Sequence, residues 1–108
     1  MAFDMKGTEL PHDVNSRPIP ALWPARGNPV TVTGTTARSS AFGGLVKILE
    51  LTPTTDMFIK IGDSTVVATT SDIFLAAGIV YYYNVKGGTN IAAIRLSTSG
   101  TLYVTELE

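Results

Sequence analysis

Few side chains in this 108-residue sequence carry catalytic chemistry, and their spacing decides what each can do. The single histidine, His12, sits between Pro11 and Asp13. A histidine base needs a third group to fix its tautomer and orientation, and a position beside proline is poorly placed to be held that way. Gly62-Asp63-Ser64 looks superficially like the nucleophile block of a serine hydrolase. That chemistry needs a histidine downstream, and none follows His12. The triplet reads instead as a turn, with glycine opening the backbone and the Asp and Ser side chains bonding nearby amides. Asp56, Asp63 and Asp72 could offer oxygens to calcium, but their spacing matches no loop motif and each falls in an expected turn. Glu106 and Glu108 share one face of a strand by period two, which reads as a solvated, aggregation-resisting end rather than an acid–base pair. Gly87-Gly88 is not followed by the lysine and hydroxyl residue of a phosphate-binding loop. Cysteine is absent, which removes disulfides, thiol nucleophiles and thiolate metal sites. The expectation is a non-enzymatic chain with no cofactor and no metal.

The residues with the most binding potential are aromatic. Tyr81, Tyr82 and Tyr83 are consecutive, so in a strand Tyr81 and Tyr83 share one face and Tyr82 takes the other. Three uses fit: core-facing rings whose hydroxyls reach the surface, a subunit interface, or a platform on which sugar rings stack. A second group, Ile19, Leu22 and Trp23, lies among prolines. Such apolar weight must cover a surface, either of its own domain or of a neighbouring subunit.

Two kinds of chain position these residues. Five of the six prolines fall in residues 1–29, where each fixes φ, removes a donor and pushes its predecessor toward extended geometry. This predicts an extended, proline-rich N-terminal arm over 1–29 with neither regular helix nor central strand. From Val30 the pattern turns to period two. Alternation predicts strands at 30–35, 45–51, 57–61, 66–68, 73–75, 79–85, 91–96 and 101–107, separated by Gly-, Asp- and Ser-bearing turns. Lys86-Gly87-Gly88-Thr89-Asn90 reads as a hairpin connection. About eight short antiparallel strands at this spacing predict an all-β domain over 30–108, a β-sandwich or jelly-roll-like barrel.

Composition narrows the partners. Net charge is −1 with cations scattered singly, so no stripe of Lys and Arg is available to neutralise phosphates, and nucleic acid is not an expected partner. No apolar run reaches the roughly 20 residues of a membrane helix. Met1 to Leu10 lacks the basic and apolar regions of a signal peptide.

Residues 45–108 resemble small virion proteins of tailed bacteriophages. The resemblance is carried by Met57-Phe58-Ile59-Lys60-Ile61-Gly62-Asp63, by Thr69-Thr70-Ser71-Asp72 ahead of an apolar strand and the Ala77-Gly78 turn, by Ile91-Ala92-Ala93-Ile94-Arg95, and by Gly100-Thr101-Leu102-Tyr103-Val104-Thr105. It implies a virion location and a capsid decoration (cement) role, or a head-to-tail or tail accessory role. It also implies a homo-oligomer, a trimer being favoured, that contacts a capsid or other virion protein through its arm and strand faces. The alternative is a carbohydrate- or receptor-binding β module using the tyrosines or Trp23.

Overall fold

The computed structural model describes residues 23–108. The strands among them are β1 (Pro24–Gly27), β2 (Val30–Val32), β3 (Ala37–Arg38), β4 (Ile48–Pro53), β5 (Met57–Gly62), β6 (Ile73–Leu75), β7 (Tyr81–Asn84), β8 (Asn90–Arg95) and β9 (Gly100–Leu107). They form two antiparallel sheets. One runs β1-β9-β4-β7 with β2 also on β9, and the other runs β3-β8-β5-β6. The sheets face each other as a sandwich, so the all-β expectation holds.

Alternation places the core. Leu49 and Leu51 of β4, Met57 and Ile59 of β5, and Leu102 and Val104 of β9 point inward and are buried. Removing each from water is worth about 1.5–3 kcal/mol. Between β5 and β6, residues 66–68, expected as a strand, are irregular. Val66 and Ala68 instead close over Ala92 and Ile94 on the outer side of the second sheet. The Ala68 amide donates to Thr36 Oγ1 at 2.9 Å, which replaces the ladder bond a strand would have made.

Three features depart from the sequence reading. First, the ladder begins inside the expected arm. Trp23 exchanges both backbone bonds with Glu108, at 3.1 and 2.9 Å, and β1 follows it along β9. Pro24 is tolerated because, among the described residues, β1 is the edge of the sheet and the side without an N–H faces no strand. Second, Lys86 and Gly87, with φ of 48° and 80°, turn the chain from β7 into β8. These strands lie in different sheets, so the turn is a crossover and not a hairpin. Third, Glu106 is not solvated. It is 1% exposed on the inward face of β9.

The two flanks of the sandwich differ. On one, β2 lies against β3 and β8. On the other, β6 and β7 are the last strands of their sheets among the described residues, and between them lies a cleft of about 630 Å³ lined by Ile59, Ile61, Ile73, Tyr83 and Lys86 among others.

Candidate functional site

The tyrosine run divides as period two requires. Tyr81 and Tyr83 turn inward, their rings stacked at 6.3 Å between centroids and 10° between planes, and pack on the main core. The Tyr81 hydroxyl accepts a bond from the Ala76 amide at 2.9 Å and so ties β7 to the turn after β6. These two are structural residues of the open flank. Tyr82 points outward and is 60% exposed.

The open flank carries exposed apolar side chains. Ile73 and Phe74 lie on β6, and Ile79 and Val80 lead into β7. Phe74 meets Phe58 of β5 at 5.5 Å on the outer side of the second sheet. Among the described residues, β7 pairs only with β4 and β6 only with β5. Each therefore presents a row of backbone donors and acceptors beside exposed apolar groups, the arrangement that accepts another strand or subunit.

Of the proposed arm contacts, Trp23 is 71% exposed at the point where the chain enters the first sheet. Ile19, Leu22 and His12 lie outside the described residues.

The acidic candidates resolve one by one. Asp63 accepts bonds from the Thr65 hydroxyl and amide at 2.7 and 2.8 Å. These bonds hold its carboxyl below the ordinary value. Asp72 binds the Thr69 amide at 2.7 Å, and Asp56 binds the Ala77 amide at 2.9 Å. Asp63 and Asp72 close their own turns, and Asp56 ties the β4–β5 connection to the turn after β6. Among the described residues no three His, Cys, Asp or Glu side chains come together as a metal site.

Glu106 anchors a polar cluster that sequence reasoning missed. Its Oε2 accepts from Arg26 Nε and Nη2 at 3.1 and 2.7 Å and from Asn28 Nδ2 at 2.9 Å. Its Oε1 accepts from the Gly43 amide at 3.0 Å. Burial raises the carboxyl's pKa, but the bonds from Arg26, Gly43 and Asn28 outweigh it, so the net shift is below the ordinary value. The available signal was parity: Glu106 follows Leu102 and Val104 at even spacing and so had to face inward.

Glu50, in the middle of β4, differs from these. It is half-buried on the outer face of the first sheet, opposite Tyr82 of β7 on one side and Thr105 of β9 on the other. Two residues along β4, Thr52 lies opposite Tyr103, which is 56% exposed.

No protein-family model, curated protein or solved structure matches the chain.

Proposed function

We propose that this chain is a non-enzymatic virion structural protein, a capsid decoration protein that associates with itself and with a shell protein and stabilises the particle by covering subunit borders. The observation that carries this reading is the open flank. The edge strands β6 and β7 border it, and Ile73 and Phe74 on β6 and Ile79 and Val80 just before β7 are exposed. A small domain has a modest margin of stability, and this much apolar surface beside unpaired backbone is a liability unless something covers it. The exposed Trp23 at the entry to β1 adds a second apolar contact next to the proline-rich segment. The virion assignment itself comes from the resemblance over residues 45–108. Binding that buries these surfaces stabilises the assembled particle by mass action.

Light scattering after gel filtration tests the self-association. The full chain should run as a closed homo-oligomer, a trimer being favoured. Phe74→Glu combined with Val80→Glu should shift it to monomer without changing its circular dichroism. A full chain that stays monomeric at its highest soluble concentration contradicts the proposal.

A further inference from the structure

The outer face of the first sheet carries a group of side chains that neither the fold nor the assembly reading uses. Four of the six acidic side chains among the described residues are bonded into the structure, Asp56, Asp63 and Asp72 in turns and Glu106 in the buried cluster, and Glu108 is exposed at the end of the sequence. Glu50 bonds to no described residue, although it sits half-buried in mid-strand, where glutamate is intrinsically disfavoured. It does not serve as a charge guarding a sheet edge, because β4 is paired on both sides, with β7 and β9. Its neighbours are Tyr82 and Tyr103, both largely exposed and rising from the strands on either side, with Thr52 and Thr105 beside it. Paired residues point to the same face, so these five side chains share one surface.

We infer that this surface binds a neutral oligosaccharide across β7, β4 and β9, with Glu50 and the two threonines bonding sugar hydroxyls between the Tyr82 and Tyr103 rings. The polar groups present suit that ligand. Four hydroxyls, on Tyr82, Tyr103, Thr52 and Thr105, surround one carboxylate that accepts bonds from paired hydroxyl donors. An aromatic ring offers a flat apolar surface to the C–H face of a pyranose. The tyrosine Cα atoms stand roughly 12 Å apart, from two strand spacings across and two residues along. The carboxylate, without a cation beside it among the described residues, disfavours acidic polysaccharides. This inference does not depend on the assembly reading, since the open flank and this face are different surfaces.

The test is calorimetric titration of the full chain with neutral hexasaccharides of glucose, mannose and N-acetylglucosamine, with their monosaccharides and with oligolysine. At least one hexasaccharide should bind, and more tightly than its monosaccharide. Tyr82→Ala and Tyr103→Ala should each weaken it roughly tenfold. Glu50→Gln, which keeps hydrogen bonding, should weaken it only severalfold. All three variants should keep the parent's melting temperature and oligomeric mass. Failure of every hexasaccharide to bind overturns the inference, as does binding that survives the double tyrosine variant. Binding of oligolysine instead, lost on Glu50→Gln and on adding salt, would assign the face to a cationic protein segment and equally overturn it.

Discussion

The two flanks of the sandwich solve opposite problems with the same kind of element. On the β1 side, an edge strand is stitched to the body by a buried carboxylate that holds Arg26, Asn28 and the Gly43 amide at once. On the β7 side, the edge is left without a further strand among the described residues, and its surroundings are apolar and exposed. The first flank spends polar groups on internal closure. The second leaves apolar groups exposed. The difference predicts that substitutions on the β1 side change stability, while those on the β7 side change association.

The largest effect should come from Glu106→Ala. It removes the acceptor for three groups and leaves the side chain of Asn28, itself buried, with only its bonds to Ser40. The expected loss is about 3 kcal/mol, at the low end for a broken buried charge pair because solvent reaches Arg26. In a chain of this size that is a fall of roughly 15 °C in melting temperature, read by calorimetry. A loss near zero would mean the two flanks are not built differently.

Deletions sharpen the same contrast. Removing residues 1–22 should leave the melting temperature of the body nearly unchanged, because every described strand, from Pro24 onward, is kept. Removing residues 1–29 takes away Arg26 and Asn28 and strands the Glu106 carboxylate, and should destabilise the body about as much as Glu106→Ala. Equal melting temperatures for the two truncations would restore the expected boundary near Pro29.

A smaller effect should follow pH. The Glu106 carboxyl is held below its ordinary value of 4.5 when folded, so the unfolded chain binds its proton first. The stability this contributes is complete above the unfolded value and is lost as pH falls through the lower, folded one. Denaturant melts should therefore weaken below about pH 4.5, with a shallower slope in Glu106→Gln. Asp63, lowered by its Thr65 bonds, acts in the same direction, so the difference between parent and variant isolates Glu106.

On the open flank, Val80→Glu should change stability by only about 0.5 kcal/mol, as exposed substitutions do, while lowering the associated mass.

Much of the body was legible. Leu49 and Leu51, Met57 and Ile59, and Leu102 and Val104 alternate as one-sided strands must, and they are the core. The split of Tyr82 from Tyr81 and Tyr83 also follows from period two alone. β1 was hidden because proline reads as a strand breaker unless the strand lies on an edge, and edges are a property of strand order. Glu106 was misread because its charge argued outward while its parity argued inward; only the distant Arg26 and Asn28 resolve the conflict. The strand at 66–68 was expected because Val66, Val67 and Ala68 have strand-like residues, yet they cover a sheet instead of joining one. The Glu50 face needs β4 to lie between β7 and β9, which no local pattern encodes.

Hydrogen exchange followed residue by residue, at concentrations where the chain is associated and again on dilution, tests the central claim that the open flank is the assembly surface. Association should slow exchange at Ile73–Leu75 and Tyr81–Asn84 and leave Pro24–Gly27 unchanged. Protection gained at Pro24–Gly27 with none at Tyr81–Asn84 would contradict it.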